Sequence, residues 1–225
     1  MCGRITLTRP NLESIAAELE VADVRGYPLY QPRYNVAPSQ PHPVLVLQEF
    51  EGNRSRQISP MYWGFVSDRS GTGAPAMQIN ARAETLESRP MWRDAFRKSR
   101  CAVITDGFFE WTGAKGARRP LWFHRPDHGL VLMAGLWEWH RVPDGFMQTF
   151  AIITTGANSM MAPVHDRMPA ILDPRAVTEW IDDRTGAPHI RRLLGPVPED
   201  LLVAQAVSPL VNNVANDSPE LLLQS

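Results

Sequence analysis

The sequence predicts an α+β fold, a mainly antiparallel β-sheet or open barrel with short helices at its periphery. Three observations predict it. Strand-like segments come in runs and do not alternate with helical ones, which disfavours repeated βαβ units. The 225 residues include 20 prolines and 15 glycines, and proline in that number favours many short elements over long helices. Turn residues separate the runs at short intervals. Along the chain, Thr8 stands where a helix cap is wanted, with Pro10 in the first turn. Leu12, Ile15, Ala16 and Leu19 then follow at i, i+3, i+4, i+7 spacing. Residues 23–40, rich in proline, tyrosine and polar groups, read as a long ordered loop. Residues 44–47 form a short strand and residues 58–66 another, ending in Trp63-Gly64, before a Gly/Ser loop over 67–75. Across 81–98 charged and apolar residues alternate and Pro90 interrupts them, which predicts short helical turns. A strand at 101–104 leads into Gly107-Phe108-Phe109-Glu110-Trp111. Segments 121–124, 130–137 and 149–155 read as further strands, with turns at Gly116, Asp127-His128-Gly129 and Pro143-Asp144-Gly145. Residues 174–181 open with helix-start chemistry and carry a Val177, Trp180, Ile181 stripe, and 201–207 form a late strand. No repeat, linker or low-complexity tract divides the chain, so residues 1–225 are taken as one domain.

Composition excludes several classes of function. Hydrophobic residues at 44% and charged residues at 21% are ordinary globular values, against wholesale disorder or a fibre. Lys plus Arg is 23 and Asp plus Glu is 24, so the net charge is −1 and any basic surface must be local. Two such local clusters exist: residues 82–100 hold six Arg/Lys against three acidic residues, and 115–125 hold four against none. Cys2 and Cys101 are too few for a disulfide scaffold, and no C-x-x-C pair suggests zinc. His124 and His128 are four apart, but Pro126 and Gly129 argue for a turn, not for a metal-binding helix face. No apolar run approaches the roughly 18 residues of a membrane helix, and the first residues show no apolar signal region. A cytoplasmic monomer without metal or cofactor is the expectation.

Four features carry possible chemistry. A small second residue normally allows Met1 to be removed, leaving Cys2 with a free α-amine and a thiol on adjacent carbons. Their ordinary pKa values, about 7.7–8.0 and about 8.5, leave both partly nucleophilic near neutral pH. A 1,2-aminothiol captures an aldehyde first as an imine and then as a five-membered thiazolidine; the plain alternative is an incidental cysteine at a frayed end. In Asn80-Ala81-Arg82-Ala83-Glu84, Asn80 and Arg82 share a face if the stretch is extended, and an arginine fork suits phosphate. Glu110 lies between Phe109 and Trp111, where desolvation would favour its neutral form and poise it for proton transfer; the alternative is the wet face of a strand. His165 lies between Pro163 and Pro169 beside Asp166 and Arg167, an acid/base pattern or else a surface loop. Of the seven tryptophans, Trp111, Trp122, Trp137 and Trp139 fall in strand-like runs and read as core or sheet-face residues.

Taken in order, Met1-Cys2-Gly3-Arg4, Arg33-Tyr34-Asn35-Val36-Ala37-Pro38, Trp63-Gly64, Asn80-Ala81-Arg82-Ala83-Glu84-Thr85, Gly107-Phe108-Phe109-Glu110-Trp111, His165-Asp166-Arg167-Met168-Pro169 and Val211-Asn212-Asn213-Val214 resemble the SOS response-associated peptidase family over nearly the whole chain. The resemblance implies a barrel-like α+β domain that senses abasic sites in single-stranded DNA, with the ring-opened sugar supplying the aldehyde. By motif position, Cys2 is the nucleophile, Asn80 orients the amine or sugar, Glu110 shuttles protons and His165 protonates the sugar oxygen. Arg4, Arg82 and Arg167 would hold flanking phosphates, Pro38 would lie near the break in base stacking, and Trp63 would also contact the DNA. One departure stands out. Related sequences often carry Pro and Trp after Trp-Gly, whereas Phe65-Val66-Ser67-Asp68-Arg69-Ser70-Gly71 has no tryptophan. The family name also admits a cysteine-type peptidase acting on the Met1-Cys2 bond, and a passive single-strand binder is a third reading. Aldehyde capture needs the free amine of Cys2; a thiol peptidase does not, and a passive binder needs neither group.

Overall fold

The computed structural model describes residues 2–21, 24, 30–50, 52–67, 77–114 and 116–224. In chain order its strands are β1 (Ile5–Leu7), β2 (Arg33–Val36), β3 (Pro41–Phe50), β4 (Asn53–Trp63), β5 (Asn80–Arg82), β6 (Arg100–Thr105), β7 (Gly107–Thr112), β8 (Arg119–His124), β9 (Val131–Val142), β10 (Gly145–Gly156), β11 (Arg167–Pro169) and β12 (Val203–Ala206). The helices are short: α1 (Leu12–Glu18), α2 (Pro90–Lys98), α3 (Val177–Ile181) and α4 (Ala187–Arg192). None is long and apolar enough to cross a membrane.

Strands β10, β4, β3, β6 and β9 lie side by side in that order, and β9 pairs back to β10, closing a barrel. Its pairings are antiparallel except one, β4 with β10, where Tyr62 faces Thr149 and Trp63 faces Phe150 in parallel. An odd number of alternating strands cannot close without one parallel seam, and this is where the expected antiparallel pattern gives way. β5 also adds to β10 in parallel, and β11 antiparallel. A second sheet, all antiparallel, runs β12-β8-β7-β1-β2.

Alternation along the barrel strands sorts their side chains into two cores. Leu45, Ile58, Ala102, Ile104, Leu132 and Ile153 pack with Ile15, Trp92, Phe96 and Trp180 of the helices, so this face is the barrel's outside. Val44, Val46, Met61, Trp63, Val103, Met133, Phe150 and Ile152 fill the inside, and Cys2 together with Ile5, Phe108 and Phe123 of the second sheet joins that inner core. Gly107 leaves room for Trp122 of the neighbouring strand β8: a Cβ there would lie 2.2 Å from Trp122 Nε1.

Local chemistry differs from the expectation in places. Asn11, not Thr8, caps α1, its side chain accepting from the Ser14 amide at 2.8 Å. Thr8 is drawn to buried Asp106, which also accepts from Thr6 at 2.6 Å. Pro90 does not break a helix but begins one, in the first turn of α2, where its missing N–H costs nothing. The loop expected over 23–40 contains β2. Residues 68–75 of the expected Gly/Ser loop, including Asp68 to Gly71, lie outside the described residues.

Candidate active site

β1 delivers the chain start to β7. Ile5 pairs with Phe108 and Thr6 with Gly107, and the Phe109 amide donates to Arg4 O at 2.9 Å. Continuing that register sets Gly3 opposite Glu110 and brings Cys2 to the end of β7. Cys2 has no exposed surface. Its carbonyl accepts from Asn80 Nδ2 at 2.9 Å, and β5 fixes Asn80 opposite Ile152 of β10. The Asn80 Oδ1 is buried and has no hydrogen-bond partner among the described residues. Burial, and then the charge of Glu110, push the Cys2 thiol well above the ordinary cysteine range, with the Arg4 amide partly offsetting them. Glu110 itself is 5% exposed, so it does not lie on a wet face of β7.

Glu110, Trp111, Arg118 and His165 line one polar cleft of about 390 Å³. The chain turns through 161–165, where the Val164 and His165 amides both donate to Met161 O. His165 Nδ1 accepts from the Arg167 amide at 2.9 Å and also lies 2.8 Å from Asp166 Oδ1. The two contacts demand opposite states of Nδ1. The Asp166 side chain is 85% exposed and free to turn to water, whereas the amide is held by β11. The amide contact therefore decides, leaving the proton on Nε2.

Arg4 leaves the same strand and is clamped. Its Nη1 donates to Asn35 Oδ1 at 2.6 Å and to Val211 O at 2.8 Å, and its Cζ lies 5.8 Å from the Trp111 ring. Asn35 Nδ2 reaches the carbonyls of Val211, Asn213 and Asn216, and Trp111 Nε1 donates to Asn212 Oδ1 at 2.6 Å. The Asn35 and 211–214 motifs thus form one clasp that seats Arg4 and Trp111. Sequence reasoning quoted both motifs but assigned neither a role, because the partners stand 176 or more residues apart.

The other expected DNA contacts differ among themselves. Arg82 is exposed and its guanidinium makes no hydrogen bond among the described residues. Arg167 grips Glu84 with both Nη atoms, at 2.6 and 2.9 Å, and Nη2 also donates to Thr154 O at 2.6 Å. Pro38 is half-buried in the turn after β2, where the Ser39 amide donates to Trp63 O at 2.7 Å. Trp63 is a correction: it has no exposed surface, stacks on Phe150 at 6.2 Å and 8°, and donates from Nε1 to Ile79 O. Its ring offers a base no face; it supports the Pro38 turn from beneath. Among the described residues no group of three or more His, Cys, Asp or Glu is placed to hold a metal ion. The His124 and His128 rings stack face to face at 4.8 Å.

The profile of the SOS response associated peptidase (SRAP) family matches residues 1–214. The chain belongs to this family. Among its relatives, the abasic site processing protein YoqW of Bacillus subtilis is 34% identical over 226 residues, covering 99% of both chains. The abasic site processing protein YedK of Escherichia coli is 29% identical, again over 99% of both. A crystal structure of a protein from Bacteroides thetaiotaomicron superposes with a TM-score of 0.85 over the full length of both chains at 23% identity, a likeness of fold. The SRAP motifs expected to act together do converge: Cys2, Asn80 and Glu110 around the chain start, Glu110 and His165 on one cleft.

Proposed function

We propose that this protein processes abasic sites in single-stranded DNA by capturing the ring-opened sugar covalently on Cys2 after Met1 is removed. The observation that carries this reading is the setting of Cys2. Its carbonyl is tied to Asn80 and its thiol lies in the field of Glu110, which in turn lines a cleft with His165. The relatives' printed names, abasic site processing proteins, support it.

The steps follow from these groups. His165 gives its Nε2 proton to the ring oxygen as the closed sugar opens, and takes back through solvent the proton that the C1 hydroxyl loses, so the aldehyde and a free hydroxyl form with no net proton change. The Cys2 amine adds to the aldehyde carbon, and Glu110 takes the ammonium proton and returns it to the departing hydroxyl. One water leaves and an imine remains. The thiol sulfur then bonds to the same carbon while its proton passes through Glu110 to the nitrogen, closing the thiazolidine. A neutral buried thiol suits this order, in which the amine attacks first. It does not suit a peptidase, which needs a thiolate. The imine also acidifies the adjacent sugar carbon, so β-elimination, a lyase activity, competes with ring closure.

Denaturing electrophoresis after mixing with single-stranded DNA carrying one abasic site tests the reading. A protein–DNA band survives denaturation in the wild type and in Cys101→Ala, and is absent in Cys2→Ala. Reducing the aldehyde beforehand with borohydride removes it. Equal loss in both cysteine variants defeats the assignment.

A further inference from the structure

We propose that Arg118, on the turn between β7 and β8, grips a backbone phosphate next to the reacting sugar and so sets how the strand lies across the cleft. The proposal rests on the reading above. Arg118 lines the cleft of Glu110 and His165, and it also lines a second, shallower groove of about 410 Å³ with Trp111, Gly116 and Asn212. It stands where the two depressions meet. It is exposed, and its guanidinium makes no hydrogen bond or ion pair among the described residues.

Arg82 is also unengaged among the described residues but does not line the cleft, and two of the other arginines expected to hold phosphates already have partners. Arg4 is half-buried, donates from Nη1 to Asn35 and Val211, and lies against Trp111. Arg167 spends its fork on Glu84. A phosphate would have to displace Glu84 at Arg167 and compete with Asn35 and Val211 for Nη1 of Arg4, whereas Arg118 offers a whole planar fork with the geometry of a phosphate oxygen pair. The next residue, Arg119, begins β8, whose Pro120 faces Trp111 across the sheet. The turn itself passes through Gly113 and Gly116 with φ of +102° and +93°, a shape that glycine adopts without strain. Arg118 therefore sits at the cleft's edge, one residue before β8. A strand entering the shallow groove and placing one sugar in the deeper cleft would pass its phosphate across Arg118.

The test separates phosphate grip from chemistry. Wild type, Arg118→Ala, Arg118→Lys and a remote control, Arg175→Ala, are compared by three measurements. The first is the salt dependence of binding to an intact single-stranded oligonucleotide. The second is the rate of covalent capture of an abasic oligonucleotide at subsaturating DNA. The third is the rate of capture of free 2-deoxyribose, which has the aldehyde but no phosphate. Arg118→Ala lowers the slope of log K against log salt by about 0.7, the loss of one single-strand phosphate contact, and slows oligonucleotide capture about tenfold. It captures free 2-deoxyribose at the wild-type rate. Arg118→Lys keeps the salt slope but loses part of the rate, because a point charge replaces a fork. Arg175→Ala matches wild type throughout. An unchanged salt slope in Arg118→Ala overturns the proposal. So does equal slowing on the oligonucleotide and on 2-deoxyribose, which would make Arg118 an accessory of Glu110. If the wild type captures neither aldehyde, the function proposed above fails, while the salt slope on intact DNA still decides for or against the phosphate grip.

Discussion

In the proposed mechanism a carboxyl group beside a buried thiol sets the order of events at Cys2, and single substitutions separate the roles around it. Glu110→Gln keeps shape and hydrogen-bonding reach but cannot exchange a proton. It slows crosslinking by about 10²–10⁴-fold, the usual scale of general acid–base catalysis, with little change in non-covalent affinity. His165→Gln slows the reaction of the closed sugar, and an open aldehyde substrate rescues it more than it rescues Glu110→Gln. Single-turnover rates on both substrates check this, and equal rescue removes the distinction. A second residue governs stability. His42 is 1% exposed and donates from Nε2 to Ile104 O, and burial pushes its imidazole down to about 4. The unfolded chain takes up that proton near pH 6.5, whereas the folded chain refuses it until about pH 4. Stability is therefore whole above pH 6.5 and falls as pH drops through that window, by roughly 2–3 kcal/mol from this group. His124, also lowered by burial, acts in the same direction. Urea unfolding at pH 7.0, 5.5 and 4.5 measures the fall, which should be shallower in His42→Gln.

At the scale of elements, the C-terminal turn is fastened by one side chain. The amide of Asn35, itself buried, reaches three carbonyls of residues 211–216, and its oxygen receives Arg4. Asn35→Ala leaves those carbonyls and the Arg4 fork unsatisfied, a loss of about 2–4 kcal/mol. Because Trp111 is seated on Asn212, the same change slows capture even where the protein remains folded. Thermal melting and the crosslinking assay, run together below the variant's melting temperature, read the two effects, and a stable variant with a wild-type rate refutes the link. The elements most legible in the sequence were those written in local chemistry: the α1 stripe, the Val177, Trp180, Ile181 face, and the hairpin turn at Pro143-Asp144-Gly145 between β9 and β10. Boundaries went astray where a distant group competed. Thr8 abandons a helix cap for Asp106, 98 residues away, and Pro90 reads as a breaker or a starter depending on where the helix begins.

For the whole molecule, a net charge of −1 leaves affinity for DNA to a few unpaired cations. Binding to intact single strands is expected to be weak, with a log–log salt slope of about −0.7 per phosphate contacted. Arg82→Ala lowers that slope. Arg167→Ala leaves it nearly unchanged and instead costs about 1–2 kcal/mol of stability, because its fork ties β11 to Glu84. Salt titrations paired with denaturant melts distinguish the two, and a reduced slope in Arg167→Ala would show that phosphate displaces Glu84. The sequence by itself determined the α+β class, the run of antiparallel strands and the ordered motifs that bring Cys2, Asn80, Glu110 and His165 into one family pattern, because alternation, turn residues and motif order are local or linear properties. Only the tertiary structure decided that Trp63 is core and not a stacking surface, that one barrel seam is parallel, and which arginines are already spent. Those outcomes depend on what lies opposite each side chain once strands far apart in sequence are paired, and hydrogen-bond donors and ring faces are allotted only then.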